Sequence, residues 1–253
     1  MKNASTGQPG ISRVTTSRVQ ARNSYDRLSR WYSLLSGPAE ASCRKAGLQK
    51  LGARTGEVVL EVGFGPGEGL VALARSVGGT GRVHGIDLSP GMSRVAQSSL
   101  AHAGLLDRAR LTIGDATRLP YGPSCFDAIF MSFTLELFDT PEIPFVLSEC
   151  GRVLKPGGRL CVVALSKGSQ PTAALKLYEW FHAKFPEQVD CRPIFVQKAV
   201  QAAGLEISET VQTSLLGLLP VEIVLAKKWD CTSDSVKVHT SSSYRNHRGL
   251  NTT

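Results

Sequence analysis

The chain has 253 residues, 42% of them apolar and 20% charged, an ordinary balance for a folded protein that argues against disorder as its main state. No apolar run reaches the ~20 residues that span a bilayer, since Pro220 and Glu222 interrupt the best stretch, Leu215 to Ala226, and no apolar segment follows Lys2 to serve as a secretory signal. The net charge of +8 raises nucleic acid or an anionic surface as partners, yet residues 1–22 hold four of those units and residues 227–253 three, leaving +1 between.

Both ends are rich in Ser, Thr, Asn and Gly and short of large apolar side chains. We read residues 1–22 and 229–253 as flexible tails around one domain, 23–228. The near-neutral domain argues against nucleic acid, while the basic tails leave room for peripheral membrane contact. The acid-free start has some transit-peptide character, but Gly7, Pro9 and Gly10 interrupt any amphipathic helix. Six cysteines without a C-x-x-C pair and five histidines without a ligand motif imply neither a disulfide framework nor a metal. The expected setting is therefore a reducing, cytoplasmic one rather than an organelle.

In chain order, residues 23–52 read as helices with an aromatic face of Tyr25, Trp31 and Tyr32. Glu57 to Val62 is a short strand ending in glycines, and Leu70 to Val77 a helix closed by Gly78 and Gly79. Arg82 to Asp87 is a second strand, after which Ser89-Pro90 supplies an N-cap and first-turn proline for a helix through His102. Strands at Arg110–Ile113 and Phe126–Phe133 follow, then a helix that Thr140-Pro141 should cap and Lys155-Pro156-Gly157-Gly158 should stop. Arg159 to Leu165 is a fifth strand. Helical stretches at about 172–184 and 193–203 flank a loop, and two closing strands at about 205–214 and 218–227 are joined so tightly that they must pair antiparallel. Apolar strands alternating with amphipathic helices predict a single α/β domain, a Rossmann-like doubly wound sheet, parallel except for an antiparallel last strand.

Gly63-Phe64-Gly65-Pro66-Gly67 lies between the first strand and first helix, where glycines allow a tight turn and close backbone approach to a ligand. The dinucleotide pattern G-x-G-x-x-G fails here because Glu68 stands at its third glycine, where an acid would repel a pyrophosphate. Glu61, two residues before the loop, instead suits a ligand ammonium. Asp87, at the end of the second strand, suits the two hydroxyls of a ribose. Asp115, after the third strand, suits an exocyclic amine such as that of adenine. Each acid alone is equally well a turn or cap residue; their joint occurrence with the loop is the signal.

These residues resemble the class I S-adenosylmethionine-dependent methyltransferases, through L-E-V-G-F-G-P-G at 60–67, G-I-D-L-S-P-G-M at 85–92, G-D-A-T-R-L-P at 114–120, F-D-A-I at 126–129 and R-V-L-K-P-G-G-R-L at 152–160. The branch they look most like contains the ubiquinone and menaquinone C-methyltransferases. The resemblance implies a seven-stranded sheet and S-adenosyl-L-methionine as cofactor. It implies cofactor contacts at Gly63, Gly65, Gly67, Asp87 with Leu88, and Asp115-Ala116, Met92 packing on the adenine, and Ser132-Phe133 beside the sulfonium.

The expected acceptor is a small molecule, aromatic or quinone-like and methylated at carbon; O-, N- or S-methylation, an RNA methyltransferase and a non-catalytic cofactor-binding regulator are the alternatives. Neither an Asn/Asp-Pro-Pro-aromatic motif nor a Pro-Cys nucleophile follows the fourth strand, which reads M-S-F-T-L-E. Arsenic methylation would want several cysteines at the site, with Cys191, Cys43 and Cys150 as candidates. Tyr178-Glu179-Trp180-Phe181-His182, with Asp190 and Arg192 beyond, concentrates aromatic and ionisable groups. Tyr178 and His182, four apart, share a helix face. One reading is a lid with His182 as base and Arg192 holding an acceptor oxygen; the other is an aromatic packing stripe and a structural loop. Tyr25 and Tyr32 either close over the cofactor or pack in the core.

Overall fold

The computed structural model describes residues 37–168, 173–184 and 191–229. The expected tails up to residue 22 and from 230 on, Tyr25, Trp31, Tyr32 and Asp190 lie outside the described residues. Seven strands form one sheet: β1 (Val58–Val62), β2 (Arg82–Asp87), β3 (Ala109–Ile113), β4 (Phe126–Ser132), β5 (Leu154–Leu165), β6 (Glu206–Leu215) and β7 (Leu219–Lys227). Their order is β3-β2-β1-β4-β5-β7-β6. Pairing is parallel from β3 to β5 and antiparallel on both sides of β7.

Side chains alternate across a strand with a period of two, so each inner strand feeds two cores. Leu60 and Val62 of β1, Ile129 and Met131 of β4 and Leu160 and Val162 of β5 join one buried cluster. Their helical partners are α4 (Ile143–Val153) and α6 (Val196–Ala202). Val59, Val83, Phe130, Cys161 and Val163 join the other cluster, under α1 (Gly37–Leu51), α2 (Glu68–Ser76) and α3 (Pro90–His102). Gly47 lets α1 lie directly on the sheet, since a Cβ there would run into Val163 and Phe130. The remaining helix, α5 (Ala173–Lys184), follows β5.

The second helix boundary and β2 fall where the sequence places them, and Ser89 caps α3 by accepting the Met92 amide at 3.1 Å. Two expectations are corrected. Thr140-Pro141 does not cap α4: the turn begins at Asp139, whose carbonyl accepts the amides of Glu142 at 2.8 Å and Ile143 at 3.3 Å. Lys155-Pro156-Gly157-Gly158 is not a loop between helix and strand but a bulge inside β5, which pairs Phe126 with Leu154 and then Ala128 with Arg159. Gly158 and Lys228 close that bulge through a 2.8 Å hydrogen bond, and Lys155 reaches Asp127 Oδ1 at 2.6 Å.

Candidate active site

The chain runs outward from β1 to β3 and then returns to β4 on the other side of β1. That reversal opens a crevice at the carboxyl ends of β1 and β4, the place where open α/β sheets bind ligands. The glycine loop follows β1 there, and a turn with unusual backbone follows β4. Phe133 has a φ of 52°, a left-handed conformation that a bulky residue adopts only when its surroundings impose it. Its amide donates to Val163 O at 2.8 Å. The Phe133 side chain is buried and belongs to the core cluster that also holds Phe130 and Val163.

Thr134, also buried, packs on the start of the glycine loop. Its hydroxyl donates to Ser132 O at 3.0 Å and lies 3.3 Å from Gly63 O, and a Cβ on Gly63 would overlap its side chain. Gly67 caps α2 with a φ of 89°, and a Cβ there would stand 2.8 Å from Ala96 Cβ, so glycine is needed for α2 to cross α3. Gly65 is the open member: a Cβ added there meets nothing within 4 Å.

Asp87 holds this loop in shape. Its Oδ2 accepts the Gly65 amide and its Oδ1 the Ser89 amide, each at 2.9 Å. Asp115 Oδ1 accepts the Thr117 amide at 2.9 Å and hydroxyl at 2.8 Å, an Asx turn that fixes the chain after β3. Next to it, the Ala116 amide has no hydrogen-bond acceptor among the described residues. Leu88 is half-buried, and Met92 is buried at the start of α3 but belongs to neither core cluster. Ser132 Oγ is buried with no hydrogen-bond partner among the described residues.

Glu61 is buried at the end of β1, and its Oε2 has no hydrogen-bond partner among the described residues. The two-residue alternation turns it toward α2, where its carboxyl packs on Gly69 and is 2% exposed. Burial pushes its pKa up to about 8, with Arg44 opposing the shift and Asp87 adding to it. The carboxyl therefore sits between the end of β1 and the first turn of α2. Glu68, the acid that breaks the dinucleotide pattern, pairs with Arg44 of α1.

The expected acceptor side divides. Arg192 is fully buried and donates to Thr140 Oγ1 at 2.9 Å and to the Phe138 carbonyl, so its guanidinium ties its own segment to the turn after β4. Tyr178 donates from its hydroxyl to Cys191 O at 2.8 Å and packs against the core, as the packing reading has it. His182 lies on α5, and its side chain is outside the described ones. Glu136 is a residue that sequence reading missed: fully buried in the turn after β4, it accepts the Leu165 amide at 3.1 Å. The only hint was an acid inside the apolar run Leu135-Glu136-Leu137.

Gly65, Asp87, Asp115 with Ala116, and Ser132 all stand at or just beyond the carboxyl ends of β1 to β4, around the sheet's reversal point. A sheet of this order with acids at three strand ends resembles that of the class I S-adenosylmethionine-dependent methyltransferases. Comparison with known proteins gives the nearer kinships. Residues 59–158 match a family described as a methyltransferase domain. A demethylmenaquinone methyltransferase of Staphylococcus aureus is 34% identical over 171 residues, which cover 68% of this chain and 65% of that protein. The match thus spans slightly under two thirds of the relative's length. Among solved structures, the [4+2]-cyclase SpnF superposes with a TM-score of 0.68 at 19% identity, covering 88% of this chain and 100% of the other. A SAM-dependent methyltransferase from Aquifex aeolicus gives 0.59 at 22% identity, over 82% and 98%. At those identities the two structures speak for the fold alone.

Proposed function

We propose that this protein transfers a methyl group from S-adenosylmethionine to a ring carbon of a small, quinone-like aromatic acceptor in its reduced, quinol form. The observation that carries methyl transfer is the pairing of Asp87 with the open Gly65 at the sheet's reversal point, a carboxylate set where a ribose would lie. The acceptor class follows from the likeness to demethylmenaquinone methyltransferases. The cofactor supplies an electrophilic methyl on a sulfonium. The loop Gly63–Gly67 and Asp87 with Leu88 would hold its amino-acid and ribose parts, and Met92, Asp115 and the Ala116 amide its adenine.

The protein's part is alignment, exclusion of water and removal of a proton. A quinol carbon attacks well only once a neighbouring hydroxyl has given up its proton, and that carbon must lose its own hydrogen afterwards. We assign the base to His182 on α5. Arg192 and Tyr178 act at a distance, by fixing the segments that flank it.

Incubation of the full chain with labelled S-adenosylmethionine and a short-chain demethylmenaquinol should place the label on ring carbon, read by mass spectrometry and NMR. Label on oxygen, or no transfer despite cofactor binding, refutes the acceptor. Absence of cofactor binding in calorimetry refutes the whole reading. His182→Gln should lower kcat at neutral pH by about 10²–10⁴ with little change in cofactor affinity.

A further inference from the structure

Eight large apolar side chains are markedly exposed among the described residues, and they are not spread evenly. Only Leu106 and Trp229 lie at the amino end of the parallel strands, the one beyond the end of α3 and the other beyond the end of β7. Ile113 ends β3 and Phe145 sits in the first turn of α4, both at the carboxyl end where the crevice opens. Leu216 and Leu218, 74% and 63% exposed, form the tip of the β6–β7 hairpin. That tip belongs to the same end, because Val221 pairs with Leu165, the last residue of β5.

The remaining two, Leu177 and Trp180, lie on α5, inside an excursion that leaves and returns at this end. Ser166 bridges Ile194, with amide hydrogen bonds of 3.1 Å from Lys167 to Ile194 O and 3.0 Å from Ile194 to Leu165 O. On the inward face of α5, Leu175 is buried and Tyr178 packs against the core layer that also takes up Leu215 and Leu219 at the base of the hairpin tip. The outward face follows helical spacing: Lys176, Leu177, Trp180 and Lys184 are all exposed. The helix's one acid, Glu179, pairs with Lys167 at 2.8 Å, so the outward face is apolar with cationic flanks.

A leucine and a tryptophan between lysines is the composition of a helix that lies in the boundary between lipid headgroups and acyl chains, where the indole is amphipathic and the ammonium groups meet anionic lipid. A protein partner would more often find aromatics with arginine and few lysines. We propose that the outward face of α5 and the hairpin tip Leu216–Leu218 form a docking surface for an anionic lipid bilayer, turning the carboxyl end of the sheet toward the membrane. That this brings the crevice to a membrane-dissolved acceptor rests on the proposed function; the attachment itself does not.

The test uses the full chain and vesicles of equal parts phosphatidylcholine and phosphatidylglycerol, free of quinone. Wild type should co-sediment with them and bind pure phosphatidylcholine far less. Leu177→Ser with Trp180→Ser, and separately Leu216→Ser with Leu218→Ser, should each weaken partitioning by roughly tenfold or more while S-adenosylmethionine binding stays intact. The second pair guards against a folding defect in α5. Failure of wild type to bind, or both variants binding like wild type, overturns the proposal, the latter by assigning attachment to the basic ends. Self-association abolished by the same substitutions, without vesicle binding, overturns it in favour of a second copy. Vesicle binding without quinol methylation would count against the proposed acceptor alone, and methylation of a water-soluble quinol without vesicle binding against the membrane alone.

Discussion

Between Leu60 and Val62, which look toward α4 and α6, Glu61 has to take the opposite face of β1, and that face lies beneath the first turn of α2. The folded chain therefore holds a proton there that the unfolded chain, with an ordinary value of 4.5, has already released. A group whose pKa rises on folding stabilises the fold below the unfolded value, and that contribution is lost as pH climbs through the folded one, about 8. Wild-type stability should fall across that window, and Glu61→Gln, a mimic of the protonated acid, should flatten the fall and exceed wild type above it. Urea denaturation from about pH 5 to about pH 9 measures this; equal slopes in the two proteins would remove Glu61 as the cause. Asp87 is held by hydrogen bonds instead, for its two oxygens already accept backbone amides. Asp87→Asn should weaken S-adenosylmethionine binding by about 1–3 kcal/mol and cost about 1 kcal/mol of stability, because an amide nitrogen cannot accept. Calorimetry showing unchanged affinity would rule out the ribose role.

At the scale of elements, the work is done by arginines reaching across the fold. Arg159 binds Glu57 through two nitrogens and also the carbonyls of Leu51 and Gly52, locking the end of α1 to β5. Arg152 holds Glu149 and the carbonyls of Leu119 and Tyr121 in the same way. Arg192 does this for the excursion after β5, and Arg192→Leu should cost about 2 kcal/mol by stranding the Phe138 carbonyl and Thr140 hydroxyl. Limited proteolysis should then cut between residues 167 and 193 sooner than in wild type; an unchanged cleavage rate would deny it the strut role. These ties also explain what could be read from sequence. Strand ends, the Ser89 cap and the strand-end acids are local features, settled within a few residues. Arg192 meets Phe138 across 54 positions and Thr134 meets Gly63 across 71, so nothing near either residue announces the contact. The Lys155–Gly158 bulge misled for a related reason: proline and two glycines mark a turn locally, and only pairing with β4 and Lys228 makes them part of a strand.

For the molecule as a whole, the proposed cofactor site draws on the ends of separate strands, so its occupation should be felt globally. Saturation at about 100 times Kd is worth about 2.7 kcal/mol, which for a domain of this size raises Tm by roughly 5–10 °C. Differential scanning calorimetry with S-adenosylmethionine should show that rise, with NADH giving none. A rise with NADH alone would point back to a dinucleotide fold. Charge works at the same scale in the opposite sense. Seven of the eight net positive units lie near the ends of the chain, so the basic isoelectric point near 9.3 describes the termini rather than the crevice.

The bridge between Ser166 and Ile194 has an evolutionary reading as well. Because the entry and exit of the intervening segment stand side by side, that segment can be lengthened, trimmed or exchanged without shifting a strand, much as insertions succeed where chain ends meet at a surface. The residues proposed to hold the cofactor all come before it, from Gly63 to Ala116. On the proposed function, a new acceptor could then be recruited by replacing one cassette while the residues for the methyl donor stay unchanged.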